Sequence, residues 1–445
     1  MRMRVLLITD EVWNDKIYTN NTLTNWFEGF PSELAHIYLA TGIPDNQCCS
    51  KYYQITDKMM FMSIITSRKA GRGFEYHSTD ATMGDSPAEK ENKAFYFFMK
   101  LITTESLRLL RDFIWQHGNY NIDEISRFIE EFNPDIIFTL RLASRKMLRF
   151  ERIISGLTKV PMIAFTGDDE YSLLQLRFSP IFWIRRLLLR RDLRRTIPCY
   201  RKYYMLSEEQ AKLYRRLFHI DTEVIMKGGD FPDEFLPKKL HSPLCLVYTG
   251  KLYCNRWKTL IQVKKALEKI NTNEIKMILQ IYTKDRITRK RRRQLCDGTN
   301  SFLMPPADAE ALQRIYQQAD IVLHIEAFDR KNRWITRYSL STKIIDYLSS
   351  SCAVMAICPA EHAGYQYLHK KDAAIAIHSL RKLYPCLKIL ASKPKLLYRY
   401  QKKAWLCGSQ YHRKSMVREK LYQDMVRFCE EAGRSCYENS SNQCS

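Results

Sequence analysis

Apolar residues in this chain come in short continuous runs, and between the runs they recur at helical spacing. The runs at 4–9 (RVLLIT), 34–40, 135–140 (DIIFTL), 161–165 (PMIAF), 203–206 and 223–226 show little polar alternation. They predict strands buried on both faces of a parallel sheet. Between them, 21–27, 94–115, 122–132 and a stretch opening at Ser207 predict helices, and the polar stretch 75–92 predicts a mobile loop. Residues 231–243 hold three prolines and predict an interdomain linker. After it the pattern restarts. Strands are expected at 244–248, 275–282, 302–304, 320–325, 353–358 and 373–377. Helices are expected at 257–270, 308–318, about 341–349 and over most of 394–429.

Strand–helix alternation run twice around a proline-containing hinge predicts an α/β chain of two doubly wound, Rossmann-like domains. Right-handed crossovers turn both sets of strand carboxyl ends toward a common cleft. The boundaries read as 1–235 and 236–392, with a helical segment at 393–445.

Composition narrows the class. A chain of 445 residues with 45% hydrophobic and 12% aromatic content has ample material for two or three packed cores. The 13 cysteines are scattered and show no paired zinc spacing, which suits reduced thiols in a cytosol. The opening MRMRVLLITDEVW is too short an apolar run for a signal peptide, and no stretch approaches the ~20 residues of a spanning helix. A cytoplasmic chain, peripheral on the inner face of the membrane, is expected. The net charge of +23 implies an anionic partner: nucleic acid, an anionic membrane surface or a phosphorylated substrate.

Candidate chemistry gathers at strand ends. Within 337–359 (RYSLSTKIIDYLSSSCAVMAICP), Ser339 or Ser341 is placed to cap a short helix, with Ile344, Ile345 and Leu348 on its apolar face. Lys343 in the first turn opposes the helix dipole, a conflict that an anion held by Ser341, Thr342 and Lys343 would remove. Asp346 shares a face with Thr342, one turn beyond, where a carboxylate can accept hydrogen bonds from ribose hydroxyls. Past the strand at 244–248, Gly250 permits close backbone approach while Lys251 and Arg256 offer cations suited to a diphosphate. Glu326 closes the strand at 320–325. In TGDDEY, Asp168, Asp169 and Glu170 form an acidic group at the end of the strand at 161–165. Asp168 and Asp169 are the candidate catalytic acids, expected to face a donor across the cleft. The run 284–293 (KDRITRKRRR) reads as a solvated helix face.

The segment 176–202 interleaves arginines with Trp, Phe and Leu, the pattern of an interfacial membrane helix. Trp183, Arg185, Arg186, Arg190 and Arg191 are the candidate membrane contacts. No helix-turn-helix, zinc-finger or RNA-binding signature accompanies it, so nucleic acid is not the expected partner.

Several segments together resemble the GT-B fold glycosyltransferases, near the large family-four type of bacterial polysaccharide synthesis. LSEEQAKLYRRLFHIDTEVIMKGGD is similar to that family's closing N-domain pattern, with Lys227 standing where the family has Asn. YTGKLYCNRWKTL resembles its diphosphate-contacting segment. ADIVLHIEAF and STKIIDYLSSSCAVMAICP resemble its donor-binding strand, helix and strand. The family's two glutamates, eight apart, fall here on Tyr338 and Asp346. The resemblance implies a nucleotide-sugar donor in the C-terminal domain and an acceptor, a polysaccharide or lipid-linked oligosaccharide, in the N-terminal one. It also implies retention of configuration, no cofactor, no metal, and a last helix crossing back to the N-terminal domain. No Asp-x-Asp motif is present, and cations with a helix start can neutralise a leaving diphosphate without Mg²⁺. Two other readings remain at this stage: a nucleotide-sugar epimerase of similar architecture, and a basic nucleic-acid-binding protein.

Overall fold

The computed structural model describes residues 2–16, 22–77 and 105–433. The described residues divide into two compact units. One takes the chain to Leu173, then Arg177–Ile225 and the residues from Arg418 onward; the other takes 174–176 and Met226–Val417.

The first unit is built on an eight-stranded sheet. Its strands are β1 (Met3–Thr9), β2 (Ser32–Tyr38), β3 (Lys51–Gln54), β4 (Arg72–Glu75), β5 (Ile136–Arg141), β6 (Met162–Thr166), β7 (Tyr200–Met205) and β8 (Asp221–Val224). The order is β4-β3-β2-β1-β5-β6-β7-β8, parallel throughout except for β3 against β4. Strand order turns round between β1 and β5. Residues of β1 such as Leu6 and Ile8 join Ile137, Ala164 and Tyr203 in one core with Trp115, Ile125 and Phe150 from the helices. Continuous burial is why these strands read as unbroken apolar runs.

The expected strands and helices are present here with ends shifted by a few residues. Glu75 ends β4 instead of opening a loop; residues 78–92 of that expected loop, 94–104 of the expected helix and Asn21 lie outside the described residues. From Glu105 the helix runs to His117. Several further elements carried no clear sequence signal. The short strands β3 and β4 are polar, and the helix Arg145–Leu157 buries Arg145, Lys146 and Glu151, so charges interrupt its apolar stripe.

The second unit is an all-parallel sheet of β9 (Leu244–Thr249), β10 (Met277–Tyr282), β11 (Ser301–Met304), β12 (Ile321–Ile325), β13 (Ala353–Ile357) and β14 (Ile375–Ile377). Its order is β11-β10-β9-β12-β13-β14, the doubly wound arrangement, with the reversal between β9 and β12. Asp320 is fully buried and aligns those two strands: one carboxylate oxygen accepts from the Cys245 N–H at 2.7 Å and the other from the His241 N–H at 3.0 Å. Residues 226–243 form no regular element and pack on this unit. Lys238 Nζ donates to the Ala319 carbonyl at 2.6 Å, and Trp405 Nε1 to the Pro232 carbonyl at 3.1 Å. Gly408, within the helix Leu396–Tyr411, is required by that packing, because a Cβ there would sit 2.0 Å from the Phe231 ring.

Candidate functional site

Gly250 follows β9 and Glu326 follows β12, the neighbours at which strand order reverses. The crevice outside such a switch point is where open α/β sheets bind ligands. Lys343 opens the helix Lys343–Ser349 and reaches back to donate to the Thr249 carbonyl at the end of β9, 2.9 Å away. One turn on, the Tyr347 hydroxyl donates to the same carbonyl at 3.3 Å. Gly250 leaves room for this: a Cβ there would lie 3.3 Å from Lys343 Nζ and 3.0 Å from the Tyr248 hydroxyl. Arg256 is the first residue of the helix Arg256–Ile270 and pairs through Nη2 with Glu326. The Thr259 hydroxyl donates to the Glu326 carbonyl at 2.8 Å, so helix start and strand end are tied together. Lys227 Nζ lies 2.5 Å from Asp346 Oδ1.

Burial drives the Lys343 pKa down to about 8; Arg256, Lys251 and Lys227 push the same way, against the pull of Asp346. Like charges crowded at one strand end disfavour their own charged forms. A bound anion relieves that repulsion, so the cluster is electrostatically prepared for one.

In the first unit, the switch point between β1 and β5 holds a different set. Lys146 Nζ is 2.9 Å from Asp10 Oδ1, and the Ser144 hydroxyl donates to the same oxygen at 3.3 Å. Burial, then Asp10, raise the Glu11 pKa. Elsewhere in this unit a cavity of about 790 Å³ has Asp15, Thr24, Glu28, Ser32, Asp45 and Asn46 among its lining residues.

No protein-family model matches this chain, and no curated protein matches it. Solved structures do. Sucrose-phosphate synthase from Thermosynechococcus elongatus superposes over 97% of this chain and 100% of its own, at 11% identity and a TM-score of 0.58. The α,α-trehalose 6-phosphate synthase of Burkholderia multivorans matches over 97% and 98%, at 10% identity and 0.57. Anabaena HepE, solved in complex with UDP and glucose, matches over 96% and 100%, at 10% identity and 0.56. The chain has the GT-B fold.

On that fold the expected donor residues take distinct places. Gly250, Lys251, Arg256, Lys343 and Asp346 gather at the β9–β12 switch point. Neither Ser339 nor Ser341 caps the helix; Thr342 occupies the cap position in helical conformation, without a side-chain cap bond. Ser341 accepts the Ile344 N–H through its backbone carbonyl instead, at 3.0 Å. Glu326 is 1% exposed and pairs with Arg256.

The three carboxylates of the acidic loop have different surroundings. Asp169 Oδ1 accepts the backbone N–H groups of Tyr171 (3.1 Å) and Ser172 (2.8 Å) and lies 3.3 Å from Arg186, so this carboxylate is committed to shaping its own loop. Glu170 is buried against Arg141. Asp168 stays exposed, while the surrounding protein and then Asp169 raise its pKa against the backbone N–H of Ala143 and Arg186.

The arginine helix Pro180–Thr196 turns much of its charge inward. Arg186 is 7% exposed and donates to the Ser172 carbonyl, which removes it as a membrane contact. Arg185 pairs with Glu105 at 2.7 Å and Asp112 at 3.0 Å, and Arg190 stacks 3.7 Å from the centre of the Tyr171 ring. Arg191 is exposed, and Trp183 is half-buried with its indole N–H on the Arg177 carbonyl at 2.9 Å. Lys146 carried no signal in the sequence because its helix lacks a clean stripe.

Proposed function

We propose that this chain is a glycosyltransferase. It moves a sugar from a nucleotide-sugar donor to a hydroxyl of a polysaccharide or lipid-linked oligosaccharide, without a metal in the transfer step. The observation that carries the reading is the convergence of Lys343 and Arg256 at the switch point of the second sheet, within a GT-B fold. HepE, a fold neighbour, binds UDP and glucose. Lys343 and Arg256 stabilise the charge that builds on the departing diphosphate, and preorganised donors of this kind supply much of the barrier reduction in such sites. Glu326 holds Arg256 in place. Asp346 receives the ribose hydroxyls once Lys227 gives way. The polar switch point of the first unit supplies acceptor contacts. There Asp168, with its raised pKa, orients the acceptor hydroxyl or accepts its proton.

A melting panel of nucleoside diphosphates is expected to raise Tm for UDP, because a ligand of the folded state stabilises it. Transfer is read as UDP release that depends on added acceptor, and Asp168→Asn is expected to lower turnover while leaving UDP affinity intact. Conversion of a UDP-sugar with no acceptor present, to an isomeric UDP-sugar, would replace transfer by epimerisation.

We further propose that the first unit rests on an anionic bilayer through the outward side of the arginine helix. Phe178, Ile184 and Leu187 are 100%, 49% and 55% exposed there, beside exposed Arg191. Apolar side chains between cations suit the headgroup boundary. No helix among the described residues is long and apolar enough to cross a membrane. The protein is expected to float with phosphatidylglycerol-containing vesicles, and Ile184→Glu with Leu187→Glu to stay at the bottom of the gradient. Equal flotation of both proteins removes this surface from consideration.

A further inference from the structure

Three side chains at the carboxyl end of the second sheet have no part in the function above. His324 lies in β12, Cys358 follows the neighbouring strand β13, and His362 precedes the helix Ala363–Lys370. They are 4%, 0% and 2% exposed, and one ligand atom from each lies within 4.8 Å of the others. Nε2 of His324 is buried with no hydrogen-bond partner among the described residues. Buried polar atoms are nearly always paired, so this imidazole nitrogen, set beside a second imidazole and a thiol, calls for a missing partner.

We propose that His324, Cys358 and His362 bind a zinc ion that cross-links the ends of β12 and β13 to the helix that follows. The donor set, two imidazoles and a thiol, is the chemistry Zn²⁺ favours over Mg²⁺ or Ca²⁺. Burial in an apolar surrounding disfavours a charged imidazole, so each ring has a lone pair to give.

Gly364 shapes the site. A Cβ at that position would fall 2.5 Å from His324 Nε2 and 3.2 Å from His362 Nδ1, so both nitrogens face the side that glycine leaves open. His362 then ligates through Nδ1, giving up the 3.1 Å bond it accepts from the Gly364 N–H. Its Nε2–H points to Glu326 Oε1, 3.8 Å away. A carboxylate behind a ligating imidazole is the usual outer-shell arrangement. Bonds of ~2.0–2.3 Å to a tetrahedral ion put ligand atoms roughly 3.3–3.8 Å apart, so the widest separation closes by about 1 Å on binding. A cysteine thiol carries its proton at neutral pH until a metal displaces it. Coordination therefore forms one Zn–S bond, breaks one S–H bond and releases one proton to the buffer for each ion bound.

The test titrates the chelator-treated full-length chain with Zn²⁺ against a chromophoric competitor, and with Co²⁺ as a spectroscopic substitute. One equivalent of Zn²⁺, release of one proton, a thiolate-to-cobalt charge-transfer band and a higher Tm with Zn²⁺ are expected. Cys358→Ser should abolish the band and weaken Zn²⁺ at least tenfold. His362→Asn should weaken it similarly while its side-chain oxygen still accepts the Gly364 N–H, which separates a lost ligand from a lost cap. Cys245→Ser is the control and should match the parent. No stoichiometric ion in the parent protein, or equal affinity in Cys358→Ser, overturns the site and leaves a trapped water as the occupant.

Discussion

Lys343→Ala is expected to weaken UDP binding by about 1.5–3 kcal/mol, the range for a hydrogen bond to a charged group. This ammonium donates to the Thr249 carbonyl, with three cations pressing on it against the pull of Asp346. The same variant is expected to melt no lower than the parent. A lysine whose folded pKa lies near 8 binds its proton less well than it does unfolded, at 10.5. Burying the charge therefore costs stability below pH 8, and that cost is relieved as pH rises from 8 toward 10.5. UDP should bind best while Lys343 is protonated, with affinity falling above pH 8 and the fall absent in Lys343→Ala. Arg256→Ala should weaken UDP by a similar amount but melt lower, because it strands the buried Glu326 carboxylate. Calorimetric titration at pH 7 and 9 reads the affinities, and thermal melts read the rest. Unchanged affinity in both variants would dismiss this cluster as the diphosphate site.

Arg141→Met is expected to destabilise the first unit by about 3–5 kcal/mol, the cost of leaving buried charges without their partner. Arg141, Glu151 and Glu170 have fully buried side chains. The guanidinium fork reaches Glu170 at 3.0 and 3.1 Å, Glu151 at 3.2 Å and the Tyr200 hydroxyl at 2.7 Å. Arg141→Lys should recover little, since an ammonium cannot bridge two carboxylates in this fork geometry. Burial already raises the Glu170 pKa, with Arg141 pulling it down. Removing the arginine raises it further. A carboxyl group with a raised folded pKa favours the folded state below its unfolded value and loses that stability as pH rises. The deficit should therefore be largest at neutral pH and shrink toward pH 4. Urea denaturation at both pH values measures it. A deficit under 1 kcal/mol at pH 7 would mean that water reaches the two glutamates.

Apart from β3 and β4, the strands of both sheets were legible because a parallel strand covered on both faces must be apolar at every position, and that requirement survives in one dimension. The helix Ile122–Phe132 was legible for a related reason: its apolar stripe faces one core, and Asn133 ends it in the left-handed conformation that asparagine tolerates. Lys343 stood out because a cation at a helix start contradicts the dipole locally. The helix Arg145–Leu157 stayed hidden because the partners of its buried charges come from elsewhere in the chain. Arg145 meets Asp192 at 2.7 Å, and Lys146 meets Asp10.

The sequence by itself therefore determined the α/β class, the alternation of strands and helices in both halves, and the strand ends where chemistry collects. Each of these depends on neighbours in the chain. Only the tertiary structure decided which charges are spent on one another. It committed Asp169 to its own loop and Arg186 to the Ser172 carbonyl, set Glu326 behind Arg256, and brought His324 to Cys358 and His362. An ion pair or a ligand set depends on distances across the fold, and a one-dimensional pattern records the type of a side chain but not the partner that folding brings to it.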